Sequence, residues 1–236
     1  MTNKILFNIL FLLVFGLAAI AQEVPTKSWD IQKIKGARQI LYPSYTGFPY
    51  LTDTWILGKI ELEDGAIIDS LHLRYSSFKD ELIYYNKEAG AQIIIDKISL
   101  KSFVLSYTNG STHVFRKFYF DNFEKGYRYF EILSDGATKL LAYRKVRLDP
   151  STPYKDGTGI LRNMVYNPNY SFYFYSLQKE YTSVRMNKIS LLAKFNKASQ
   201  KPIKKLLRKN RIRVSDEESF TEAWKMIEKE GYKVVF

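Results

Sequence analysis

From Thr54 to Leu148 apolar and polar residues alternate with a period of two, interrupted by turn signals at intervals of about 8–12 residues. Such spacing predicts short antiparallel strands joined by tight connections. The Asp64-Gly65 pair suits a two-residue type I′ turn, because glycine takes a positive φ without steric cost. That turn sets Leu62 against Ile67, Gly58 against Leu71 and Ile56 against Leu73 on one apolar face. Asp69 then intrudes on this face opposite Ile60, close enough to the turn to splay into water. The other face carries Lys59, Glu61, Ser70 and His72, with His72 opposite Leu57 and Trp55 beside Arg74. One dry face and one wet face characterise an antiparallel sheet solvated on one side.

Further strands are predicted over residues 81–86, 91–96, 100–107, 111–118, 127–133 and 138–147, with turns at Glu88-Ala89-Gly90, Asn109-Gly110 and Asp135-Gly136. Residues 149–169 contain Pro150, Pro153, Gly157, Gly159 and Pro168, which predicts a long irregular loop. Strand character returns at 170–177 and 181–186. The periodicity then changes. Residues 189–195, 202–209 and 216–230 read as three short helices, the last opened by a Ser215/Glu218 capping box. In that helix Phe220, Trp224 and Ile227 form one apolar stripe that must dock on something. The expected fold is mainly β: an antiparallel β-meander forming a sandwich or partial barrel over residues 22–188, with a small α-helical C-terminal subdomain over 189–236.

The first 21 residues follow a different pattern. Lys4 precedes an apolar run, Ile5 to Ile20, that ends in Ala19-Ile20-Ala21. A basic start, a short apolar centre and small residues at the recognition positions predict a cleaved signal peptide over 1–21, cut between Ala21 and Gln22. The run is shorter than the roughly 20 apolar residues a spanning helix needs. A periplasmic or extracellular protein is expected. The chain has no cysteine, which excludes thiol catalysis and thiolate metal sites; a chain of 236 residues can bury a sufficient core without disulfides.

Several stretches occur together in a set order: Gly47-Phe48-Pro49-Tyr50-Leu51 with Trp55 and Gly58, then Leu73-Arg74-Tyr75 with Asp80-Glu81-Leu82. Lys101-Ser102-Phe103, Tyr129-Phe130-Glu131, Asp135-Gly136, Leu140-Leu141 and the Leu206–Ile212 helix end follow. In this the chain resembles small exported proteins of unknown function from Gram-negative bacteria of the Bacteroidetes group. The resemblance covers most of the segment after residue 21 and implies an envelope location and a β-then-α layout. It carries no activity and no site residues.

Candidate chemistry is sparse. The chain has two histidines, His72 and His113, and neither has a second ligand at metal-binding spacing in the sequence. No Gly-x-Ser-x-Gly elbow, phosphate loop or paired-histidine helix motif is present, and Gly157-Thr158-Gly159 is too short to cradle a phosphate. Glu131 stands between apolar neighbours, and the Asp135-Gly136 turn pairs it with Leu140. Such a carboxyl is either a general acid kept protonated by desolvation or the partner of a basic residue. The alternating rings of Tyr170 to Tyr175 fit a buried strand or, alternatively, a stacking platform for a sugar.

Charge is more informative. Formal net charge is +12, and Ile189 to Ser215 contains nine basic residues and no acidic one. Lys201, Lys204, Lys205, Arg208 and Lys209 are the candidate anion contacts. The competing reading pairs this segment with the acids of the following helix, Glu217, Glu218 and Glu222. Outside the cytoplasm the expected partners are anionic envelope components; no nucleic acid and no cofactor is expected. The resulting expectation is a non-enzymatic binding or structural module. Its alternatives are an envelope hydrolase using a carboxylate site around Glu131 and a small outer-membrane β-barrel ending at Phe236.

Overall fold

A computed structural model describes residues 34–43, 45–121 and 126–236. The apolar run 5–20 and the predicted cut lie outside them. Ile34–Phe236 form one compact unit. Among the described residues eleven strands join in a single antiparallel sheet: β1 (Gly36–Arg38), β2 (Ile56–Leu62), β3 (Ile67–Ser76), β4 (Glu81–Asn86), β5 (Ala91–Ile95), β6 (Leu100–Ser106), β7 (Thr112–Tyr119), β8 (Tyr127–Ser134), β9 (Thr138–Lys155), β10 (Leu161–Ser176) and β11 (Tyr181–Val184). Their order across the sheet is β1-β5-β4-β3-β2-β6-β7-β8-β9-β10-β11. The helices α1 (Lys188–Leu192), α2 (Lys197–Lys209) and α3 (Glu217–Lys229) follow. The mainly β fold with a helical C-terminal part agrees with the periodicity.

The sheet curls back on itself. β3 and β7 stand three strand spacings apart, roughly 14 Å in a flat sheet, yet the Tyr75 and Phe115 rings are 5.2 Å apart. Closure continues through the main chain: Val146 N–H of β9 donates to the Ser77 carbonyl at 3.0 Å. The interior so formed holds Tyr75, Phe103, Phe115 and Tyr129, all buried, with the two phenylalanines stacked at 4.7 Å. At the other end of this face Leu140 of β9 and Phe174 of β10 share a core with Leu191, Ile203, Leu207, Phe220, Trp224 and Ile227 of the helices. Trp224 lies 4.6 Å from Phe174, so the apolar stripe of α3 docks on the sheet.

The structure corrects five expectations. Residues 149–169 are not a loop, because β9 and β10 pair through them as a long two-stranded ribbon. Its turn is tied by Asp156, whose side chain accepts the amides of Thr158 and Ile160 and pairs with Arg162. Pro150 and Pro168 are tolerated because β8 pairs with β9 only at residues 140–142 and β11 with β10 only at 172–175, so no strand beside either proline needs its missing N–H. In the β2–β3 hairpin Ile56, Leu57 and Gly58 pair with Leu73, His72 and Leu71 as expected, but Ile60 meets Ile68 and Glu61 meets Ile67. The turn therefore holds one residue more than a type I′ pair, with Gly65 at φ +84°. A bulge with Ser70 at φ +57° restores register and turns Asp69 outward.

Similarly, a shift between Ile132 and Ser134 sets Glu131 against Ala142 in place of Leu140. Helix α2 begins at Lys197, not at Pro202, because the Asn196 side chain accepts the Ser199 amide and caps it earlier. Pro202 costs α2 only the hydrogen bond to the Ala198 carbonyl, in an exposed first turn that water can solvate. The capping box of α3 uses Asp216 and Ser219, one residue later than Ser215 and Glu218.

Candidate functional site

Along α2, Lys201, Lys204, Lys205 and Arg208 recur at i, i+3, i+4 and i+7, one face of a helix. All four are exposed, while Ile203 and Leu207 are fully buried in the core that joins helices and sheet. Together with Lys188, Arg211 and Arg213 they line a groove of about 1050 Å³, whose remaining walls are Pro202, Leu207 and Ile212. Seven of its ten lining residues are cations and none is acidic. Lys209 is exposed but does not line it. Sequence reasoning missed Lys188, which folding brings from α1, and did not separate Arg211 and Arg213 from the rest of the basic segment. Arg211 sits at φ +57° just after the helix and turns the chain back along the groove.

Among the described residues no carboxylate lies within 4.0 Å of these seven cations. A second basic cluster makes the contrast plain. Lys97, Lys101, Arg116, Lys117 and Arg128 border a hollow of about 710 Å³ at one end of the curled sheet. Here every cation has a carboxylate: Asp80 for Lys97 and Arg128, Glu61 for Lys101, Asp135 for Arg116 and Glu63 for Lys117. Lys117 also donates to the carbonyl of Lys97 at 3.0 Å, tying β7 to the β5–β6 turn. That cluster closes the fold. The α2 groove leaves its charge open to solvent.

The acids expected to neutralise α2 are engaged elsewhere or face water. Glu217 accepts two hydrogen bonds from Arg144, at 2.6 and 2.7 Å, and Glu218 and Glu222 are exposed. Arg144 in turn donates from Nε to Glu131 at 2.6 Å, and His113 Nδ1 stands 2.6 Å from the other Glu131 oxygen. The His113 contact is a close approach of imidazole to carboxylate without the alignment of a hydrogen bond. Tyr107 packs on the His113 ring at 4.6 Å, and Arg144 lies 5.0 Å from the centre of the Tyr170 ring. This network joins β7, β8 and β9 to the first turn of α3.

Burial pushes the Glu131 carboxyl up, but His113 and Arg144 outweigh burial and hold it below the ordinary carboxylate range. Burial likewise works against the Arg144 cation, and Glu217 and Glu131 more than offset it. Tyr107 is pushed up to about 12 by burial and by the Glu131 charge. A general acid needs its carboxyl protonated. Glu131 is held in the opposite state and serves as the basic residue's partner.

Asp80 is different: burial raises its carboxyl more than Lys97, the Tyr75 hydroxyl and the Tyr129 amide lower it. It accepts from Tyr75 Oη at 2.5 Å and Tyr129 N at 3.2 Å inside the curled sheet. His72 stands half-buried opposite Leu57. No cluster of three or more metal-ligating side chains occurs among the described residues. The Tyr170–Tyr175 rings are mostly packed on two faces: Phe174 on the helices, Tyr173 and Tyr175 against Phe120, leaving Tyr170 exposed. Comparison with family models, curated proteins and solved structures finds no match to this chain.

Proposed function

We propose that this protein is a non-enzymatic binding module of the bacterial envelope, whose C-terminal helices engage an anionic partner through the α2 groove. The observation that carries the reading is the gathering of seven uncompensated cations around one groove in a protein whose other basic cluster is paired throughout. Like charges at i and i+4 on a helix are mildly destabilising, by roughly 0.2–0.5 kcal/mol per pair. An anion laid across Lys201, Lys204, Lys205 and Arg208 removes that repulsion. Export belongs to the same proposal. It rests on Lys4, the apolar run 5–20 and the small residues before Gln22, and it restricts the partner to anionic envelope components.

Titration with a sulfated dextran tests the reading with the source of the anion left open. Binding should weaken steeply between low and physiological salt, as it must when exposed charges carry it. The triple variant Lys204→Glu, Lys205→Glu, Arg208→Glu should lose binding and keep the wild-type melting temperature. No binding by the wild type would sink the proposal. A large fall in melting temperature would show instead that these side chains hold the fold together.

A further inference from the structure

The groove does not end at α2. Lys188 lines both it and a shallow depression around α1 that includes Arg185 and Ile189. Ile189 is 84% exposed, the most exposed large apolar side chain after Ile40 among the described residues. It is followed by Leu191 and Leu192, which face the core, so the helix has already satisfied its apolar docking without it. An isolated exposed isoleucine is ordinary on a protein surface. One set beside Arg185 and Lys188, on the rim of an uncompensated cationic groove, is a different matter: it adds an apolar point to a surface already complementary to negative charge.

We infer that the anionic partner is a lipid bilayer surface, with Ile189 entering the headgroup–acyl boundary while Lys188 and the α2 cations rest on anionic headgroups. This deepens the anion-binding reading and rests on it. A soluble polyanion would be recognised by the cations alone. A membrane is recognised by cations together with apolar side chains that partition into the interface, which is how amphipathic surfaces bind acidic bilayers. Charge complementarity commits the surface to acidic headgroups; the position of Ile189 commits it to their hydrocarbon boundary.

Because the chain has no cysteine, Ile189→Cys creates a single labelling site. A solvatochromic dye there should shift to the blue with phosphatidylcholine vesicles containing phosphatidylglycerol. It should stay unshifted with phosphatidylcholine alone, and unshifted when Lys204, Lys205 and Arg208 are also changed to Glu. A dye at exposed Lys87→Cys, in the turn between β4 and β5, should not respond. Ile189→Ser should weaken association with the acidic vesicles about fivefold, the loss of part of an isoleucine's transfer free energy, and leave sulfated-dextran affinity unchanged. An unshifted dye beside intact dextran binding would overturn the membrane inference and spare the anion-binding proposal. Binding to neither dextran nor vesicles would remove both. Association carried only by the apolar run 5–20 would appear with neutral vesicles too and leave the dye at 189 unshifted, which also overturns the inference.

Discussion

Replacing Arg144 by Met should be among the most damaging single changes in the protein. The substitution keeps length and apolar bulk but removes the guanidinium between Glu131 and Glu217. Glu131 is only 3% exposed and would be left with His113 alone. Deleting one member of a buried ion pair costs about 3–5 kcal/mol, because the remaining charge stays desolvated. At roughly 2–4 °C per kcal/mol for a chain of this size, the melting temperature should fall by about 6–20 °C. Glu217→Gln should cost nearer 1 kcal/mol, since the Glu217 side chain is 36% exposed and water takes over much of its role. Urea unfolding followed by circular dichroism gives both values, with an unchanged m value showing that the folded state is intact. The double variant Arg144→Met, Glu131→Leu should recover much of the loss, because no buried charge remains. The pH dependence has a definite sign. Glu131 is held low in the folded wild type, so its contribution is present above the ordinary carboxylate range and lost as pH falls through its folded-state value. The gap between wild type and Arg144→Met should therefore narrow on acidification. An Arg144→Met variant that costs less than about 1 kcal/mol at neutral pH would refute this reasoning.

Gly58→Ala should destabilise by more than about 2 kcal/mol, because overpacking a closed core forces backbone movement; its Cβ would collide with the Val104 carbonyl oxygen and lie 2.8 Å from Leu73 Cδ1. Gly65→Val meets open space, yet at φ +84° it should still cost about 1–3 kcal/mol through backbone strain; His72→Ala, at a half-buried rim position, should cost less than about 0.5 kcal/mol. A histidine change more harmful than either glycine change would show the faces of β3 to be wrongly assigned. At Asp80, Asn should be tolerated far better than Ala, because the amide oxygen can still accept from Tyr75 and Tyr129 while alanine leaves both donors buried, at about 1–3 kcal/mol each. Since burial raises the Asp80 carboxyl, its contribution to stability declines as pH rises from the ordinary carboxylate range through its folded-state value. Asp80→Asn should abolish that decline, and equal pH profiles for wild type and variant would contradict the assignment.

The strands from β2 to β8 are legible in the sequence because half their side chains face a closed core, and a period of two records it. Residues 149–169 are not, since proline counts against a strand only where a neighbouring strand requires its N–H. At Pro150 of β9 and Pro168 of β10 no third strand pairs with the ribbon. Helix α3 is legible from Phe220, Trp224 and Ile227, which all bury against the sheet. The α2 cations are legible as a run, and helical spacing places four of them on one face. What the run cannot convey is that Lys188 joins them or that the acids of α3 turn away. The Arg144–Glu217 pair spans 73 residues of sequence, and nothing local to either residue signals it. Glu131 stands out in sequence as a carboxyl among apolar neighbours. Its role depends on Arg144 and His113, two partners supplied by other strands.

The central claim is that the α2 groove, and not the net charge of +12, recognises anions. The direct test compares two triple charge reversals that change the formal charge equally. One is Lys204→Glu, Lys205→Glu, Arg208→Glu in the groove; the other is Lys59→Glu, Lys87→Glu, Lys155→Glu at exposed positions of strands and a turn away from α2 in sequence. Affinity for sulfated dextran at low salt, measured alongside the melting temperature, decides between them. Loss of binding in the groove variant with near wild-type binding in the sheet variant is the predicted result. Equal weakening in both would mean that overall charge carries the attraction, and the groove would no longer be a site.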